Sequence, residues 1–298
     1  MTADKVLVLC ATGKVGRNVS RALVEAGFTV YGTTRRSPDR LRQQGVIPIA
    51  CDYTKAEDLD RALIESGAKK LFVITDFFAA AGRSVARERQ QGRRAFEAAK
   101  RAKVEHLIFM SVADAECFDD KTEHIKAKVQ LEADLRDSGL AYSILRPCAF
   151  FENLDDASNW NPLKRGVVKF LTDQPIKYCS TYDIGRAAAL LFRDPRAWAA
   201  KSLDVISWQG DLAALARALE AVSGEPVRHG LIMPIWLRRL LLNDLHHMFL
   251  YFERDKGPKG EPEAFRQIVP DALSAEAWFR FHNRYANGEP IVAPQPAP

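Results

Sequence analysis

From its first residues the chain alternates short apolar runs with longer amphipathic stretches. Residues 5–9 (Lys-Val-Leu-Val-Leu) are apolar almost without interruption, the pattern of a parallel strand covered on both faces. Residues 14–26 then place Val15, Val19, Ala22, Leu23 and Ala26 on one helical face, and Gly27 predicts the stop. A second strand is expected over 28–34, with others near 46–50, 70–75, 105–111 and 141–146. Helices are expected between them near 55–66, 83–102 and 120–138. This alternation predicts right-handed βαβ crossovers and a doubly wound parallel sheet, an α/β architecture of the Rossmann type.

Beyond Arg146-Pro147 the rhythm loosens. A helix is expected near 183–193 with Asp183 as its cap, then a strand over 202–207 and a helix over 211–223. Residues 234–252 are strongly apolar and aromatic. They predict a smaller, mostly helical lobe packed on the carboxyl edge of the sheet, where ligands of such folds bind. The expected division is a nucleotide-binding domain over 1–150 and a substrate or partner lobe over 151–287, interleaved with the sheet edge. Residues 288–298, rich in proline, are expected to form a disordered tail.

The first candidate chemistry is the turn Cys10-Ala11-Thr12-Gly13-Lys14-Val15-Gly16, between the first strand and the first helix. Its glycines let backbone approach a pyrophosphate, and the helix start offers N–H groups to the phosphate charge. The usual first glycine is replaced by Cys10, whose Cβ and sulfur crowd the turn. At the end of the second strand, where a carboxylate would hold a ribose 2′-hydroxyl, stand Thr33, Thr34, Arg35, Arg36 and Ser37. Two guanidiniums and no carboxylate point to a 2′-phosphate, hence NADP(H). Asp52, after the third strand, is placed either to contact an adenine or to open a turn ahead of Thr54.

Composition narrows the picture. The 298 residues carry a net charge of +5, spread along the chain without a run of five or six basic residues, so no nucleic-acid partner is expected. No apolar stretch approaches the roughly 18–20 residues that span a bilayer, and no signal peptide is expected before the first strand. Five scattered cysteines form neither a CxxC pair nor a disulfide framework, which predicts a reducing, cytoplasmic setting. His246-His247 point apart on a helix and no metal site is expected.

The helix over 120–138 carries the catalytic candidates. Ile125, Val129, Leu131 and Leu135 define its apolar arc, with Lys128 near the middle and His124 at the edge. A lysine aimed inward needs an acceptor. That acceptor is either a cofactor ribose or phosphate, or Glu132 one turn on. Ser111, at a strand end, is either a hydroxyl that orients substrate or a strand-end cap.

These residues resemble the NmrA-like family of atypical short-chain dehydrogenases. Ala-Thr-Gly-Lys-Val-Gly-Arg at 11–17 is similar to its opening motif, and Thr-Arg at 34–35 and Cys-Asp at 51–52 fall at its spacings. Leu-Arg-Pro-Cys-Ala-Phe-Phe-Glu-Asn at 145–153 resembles its signature near the substrate pocket, Asp183-Ile-Gly185 a helix start and Trp278 a C-terminal helix. His124-Ile-Lys-Ala-Lys128 resembles the His-xxx-Lys element of the redox-sensor subgroup, where ordinary short-chain dehydrogenases have Tyr-xxx-Lys. The resemblance implies catalytic roles for Lys128, His124 and Ser111. For the cofactor it implies Cys10, Thr12, Gly13, Lys14, Val15, Gly16, Arg35, Arg36, Asp52, Thr75, Lys128, Pro147, Phe150 and Asn153. An apolar pocket would include Phe151, Trp160, Trp236 and Met248, although aromatic stripes of this kind are more often plain core. Two functions follow: an NADPH-dependent reductase of a hydrophobic carbonyl, quinone or conjugated molecule, or a non-catalytic NADP(H) sensor acting through a regulatory partner protein. The chain is expected as a monomer or homodimer.

Overall fold

The computed structural model describes residues 4–155, 166–255 and 257–283. The chain opens with β1 (Lys5–Val8), α1 (Lys14–Glu25), β2 (Thr29–Thr34), α2 (Pro38–Arg42), β3 (Ile47–Ala50), α3 (Ala56–Ser66) and β4 (Lys70–Val73). It continues through α4 (Val85–Arg101), β5 (His106–Met110), α5 (Glu123–Arg136), β6 (Tyr142–Pro147), β7 (Ala149–Phe150), β8 (Val167–Phe170) and β9 (Ile176–Cys179). Next come α6 (Thr181–Arg193), β10 (Lys201–Val205), β11 (Trp208–Gly210), α7 (Leu212–Ser223) and β12 (Arg228–Leu231). The last described elements are α8 (Ile235–Leu241), α9 (Asn243–Asp255), α10 (Pro262–Ile268) and α11 (Ala275–Asn283).

The chain divides into two compact units, and the division is not a single cut near residue 150. Residues 1–147 and 181–205 form the first; 148–180 and 206–298 form the second. The segment 181–205 returns because α6 and β10 complete the large sheet.

That sheet has seven strands in the order β3-β2-β1-β4-β5-β6-β10, all parallel. The order reverses between β1 and β4, the switch point where doubly wound sheets open a crevice at their carboxyl ends. Val6–Val8, Leu71–Val73 and Leu107–Phe109 are fully buried or nearly so, as a sheet covered on both faces requires. One core gathers Leu7, Leu9, Phe96, Phe109, Leu131 and Leu135, with α3 packed on α4 and α4 on α5. Elsewhere in the unit α1 packs on α6, and Gly185 permits the approach: a Cβ there would lie 2.8 Å from the Val19 Cα. Asp183 is not the cap of α6, because the helix starts two residues earlier at Thr181, whose hydroxyl accepts a 2.6 Å bond from Asn18.

In the second unit β7 and β11 flank β9, and β12 pairs with β8. The apolar segment 234–252 breaks into α8 and α9. Arg238 of α8 is fully buried, held by the Glu253 carboxylate at 2.8 and 3.1 Å and by the Leu171 carbonyl at 2.8 Å. The Pro-rich segment expected to be a tail and Trp160 both lie outside the described residues. No described helix is long and apolar enough to cross a membrane.

Candidate functional site

The loop from β1 to α1 lies at the switch point. Cys10 adopts φ = +53°, the left-handed conformation that a glycine supplies at no cost. Its N–H donates to Thr33 Oγ1 at 2.9 Å, and its carbonyl accepts the Gly13 N–H at 2.9 Å. Cysteine thus holds the tight turn that the usual first glycine would make. Gly16 cannot be replaced without movement: a Cβ would sit 2.2 Å from the Cys10 oxygen and 2.8 Å from the Ala11 Cα. Gly13, exposed, is the N-cap of α1, and no side chain caps the helix. The first turn, with Lys14, Val15 and Gly16, carries no acidic residue. A helix start of this kind presents backbone donors outward.

The end of β2 is shaped by Thr34. Its hydroxyl accepts from the Ser37 N–H at 3.1 Å and the Arg36 N–H at 3.4 Å, and Arg35 and Arg36 project exposed beyond the strand. Asp52 is engaged locally: Oδ1 accepts from the Thr54 hydroxyl at 2.7 Å and from its N–H at 3.2 Å. Those bonds hold its carboxyl below the ordinary range, with help from the nearby Arg35 guanidinium. The turn role weighed for Asp52 is thus present. Burial pushes the Cys10 thiol up to about 12, so it is a neutral filler of the turn at physiological pH.

At the carboxyl ends of β4 and β5, three buried side chains form one cluster. Lys128 Nζ lies 2.8 Å from Glu88 Oε1 and 2.6 Å from Thr75 Oγ1, and the Thr75 hydroxyl donates to Glu88 Oε1 at 2.7 Å. The side chains of Lys128 and Glu88 are 8% and 0% exposed. Lys128 also stands 5.7 Å over the Phe109 ring. The alternative partner on the same helix is wrong: Glu132 binds Arg146 (2.5 and 2.9 Å) and Arg136 (2.5 Å) instead. Val129, expected on the apolar arc, is exposed; the buried arc is Ile125, Lys128, Leu131, Glu132 and Leu135. Glu88 went unread in the sequence because α4 hides it among six basic residues. Its position on the buried face of α4, toward α5, was the signal.

Two further atoms mark this region. Ser111 is 1% exposed, and its hydroxyl, like Glu88 Oε2, has no partner among the described residues. Ser111 therefore makes no strand-end cap. His124, in the first turn of α5, is half-buried with its ring 6.2 Å from Phe77 and 5.6 Å from Phe78. Thr12 is half-buried in the turn, and the Pro147 carbonyl ends β6 by accepting the Ala113 N–H at 2.9 Å.

In the second unit the expected pocket residues differ in exposure. Phe151 is not a pocket residue. It is fully buried, stacked between Tyr178 and Trp278 at 5.3 and 5.4 Å. Trp236 is 68% exposed on α8, Met248 is half-buried on α9, and Phe150 and Asn153 are half-buried. The 145–153 segment carries a structural anchor that the sequence did not announce. Glu152, buried, accepts from Ser180 Oγ at 3.0 Å and from the Trp278 indole at 3.2 Å.

A seven-stranded parallel sheet with a glycine-bearing turn at its switch point defines a dinucleotide-binding class of α/β protein. Within that class, a profile of the NmrA-like family matches residues 2–278, and the chain belongs to that family. It is 30% identical to the (4-alkanoyl-5-oxo-2,5-dihydrofuran-3-yl)methyl phosphate reductase of Streptomyces griseus, over 75% of each chain. The fold is shared with the triphenylmethane reductase of Citrobacter sp. solved with NADP(H). The TM-score is 0.72 at 19% identity, covering 92% of this chain and 98% of that one. It is shared equally with NmrA, a negative transcriptional regulator solved with NAD, at TM-score 0.73 and 17% identity, over 93% and 94%.

Proposed function

We propose that this chain is an NADPH-dependent reductase of a hydrophobic carbonyl, quinone or conjugated small molecule. The observation that carries the reading is the end of β2. There the Thr34 turn presents Arg35 and Arg36, exposed, beside a phosphate-binding turn, and the next carboxylate, Asp39, is paired with Arg42. Residues Cys10 to Gly16 would hold the pyrophosphate and the two arginines the 2′-phosphate. The bound cofactor supplies a hydride to an electron-poor carbon. On this chain's side, Glu88 and Thr75 hold the Lys128 amino group in place, the Ser111 hydroxyl can donate to a substrate oxygen, and His124 can give up the proton that completes reduction.

Calorimetric titration with NADPH, NADP, NADH and NAD tests the cofactor. The phosphorylated pair should bind at least about tenfold tighter, and Arg35→Ser with Arg36→Ser should erase that preference. A screen of quinones and enones, read by NADPH absorbance, tests turnover. A second reading, a non-catalytic NADP(H) sensor, is favoured by one feature: His124 stands where ordinary short-chain dehydrogenases have tyrosine. Tight NADPH binding with no turnover, together with a size or partner affinity that changes with cofactor, would select it.

A further inference from the structure

The charge of this chain is not spread evenly once it is folded. α4 alone carries six basic residues against two acidic ones, so a single helix holds +4 of the net +5. Glu88 is buried against Lys128 and does not neutralise the outer face. At 100° per residue, Arg87, Arg94 and Arg101 fall close to one line, two turns or about 10 Å apart, while Arg93 and Lys100 project about 100° round the helix from it. From Arg87 to Arg101 the stripe spans about 21 Å.

Two of these cations are matched by carboxylates: Arg89 by Asp134 at 2.7 Å and Arg101 by Asp60 at 2.9 Å. Among the described residues, Arg87, Arg94 and Lys100 donate only to the carbonyls of Gly82, Thr54 and Ser138. Arg93 is exposed and makes no direct ion pair among the described residues, although Asp134, paired with Arg89, also feels its charge. A carbonyl orients a guanidinium without cancelling its charge. Beside the stripe, α4 and Gln130 of α5 enclose an open groove of about 770 Å³, lined by Arg87, Arg89, Arg93, Arg94, Gln90 and Glu97.

We propose that this groove docks an acidic protein segment, with carboxylates spaced along a helix or extended strand to match the stripe. The spacing selects that occupant. Arg87 and Arg94 stand two turns apart, Arg89 is already paired with Asp134, and the Glu97 carboxylate shares the lining, so a small phosphate ligand finds no built cradle. A second copy related by a two-fold would set arginine against arginine. The groove lining holds no aromatic side chain on which a single-stranded base could stack. The site is independent of the reductase reading, since none of its residues belongs to the turn or to the Thr75–Glu88–Lys128 cluster.

The test uses the full chain and a fluorescent helical peptide of about 18 residues rich in Glu and Ala, with its Gln counterpart and a labelled single-stranded DNA as rivals. The Glu peptide should bind, the Gln peptide should not, and binding should weaken steeply with salt. Arg87→Glu with Arg93→Glu should weaken it about tenfold. Arg228→Glu, a charge reversal on β12, should leave it unchanged, with thermal melting confirming that every variant folds. The proposal is overturned if neither peptide binds, if the Gln peptide binds equally, or if the paired reversal leaves affinity unchanged. DNA binding tighter than the peptide and lost in the same variant would assign the groove to nucleic acid instead. Self-association abolished by the reversal would assign it to a second copy.

Discussion

Replacing Glu88 by Gln keeps the shape of the Thr75–Glu88–Lys128 cluster and removes its negative charge. Lys128 is then a buried ammonium whose remaining partners are the Thr75 hydroxyl and carbonyl and an amide oxygen. Breaking one side of a buried ion pair costs about 3–5 kcal/mol, and the amide oxygen retained by Gln places this variant near 3 kcal/mol. At about 2–4 °C per kcal/mol, the melting of the unit holding the large sheet should fall by about 10 °C. Urea unfolding measures the loss. The pair Glu88→Gln, Lys128→Met closes a double-mutant cycle, and removing both charges should recover most of the loss. A single variant within about 1 kcal/mol of wild type, or a pair whose losses simply add, would refute the coupling.

Gly16→Ala forces a Cβ against the Cys10 oxygen and the Ala11 Cα, both backbone atoms that cannot rotate away. It should cost about 1–3 kcal/mol and abolish dinucleotide binding; wild-type calorimetry would sink the close-approach argument. Cys10 and Cys51 are both pushed up to about 12 by burial, so alkylation of native protein at mildly alkaline pH should label half-buried Cys117 ahead of either, as read by mass spectrometry. Cys10 is half-buried like Cys117, so equal labelling would contradict the raised pKa of its thiol. His106, bonded to Ser143 at 2.8 Å, is held down to about 4 by burial, with Lys70 adding repulsion. The unfolded state binds more protons between about 4 and 6.5, so stability should be lost as pH falls through that window. His106→Asn should flatten the loss, and an unchanged profile would exclude His106 as its source.

Much of the fold was legible because its signals are local. The run at 5–9, the amphipathic stretch after it and the arginines at 35–36 are covalently close, and strand–helix alternation leaves few topologies for a parallel sheet. The aromatic stretch 145–153 was read as a pocket signature, yet Phe151 proved to be core and Glu152 an anchor. An apolar or charged residue in a loop carries no local mark of which partner it will meet.

What the amino-acid order determined alone is the turn Cys10–Gly16 and the absence of a carboxylate at the end of β2, because both depend on neighbours along the chain. Only the tertiary structure decided who holds Lys128. Glu132, one turn away on the same helix, is drawn off by Arg146 from β6, and Glu88 arrives from forty residues upstream because α4 packs on α5. Local spacing sets which residues share a face; which faces meet is settled by the burial of the whole core.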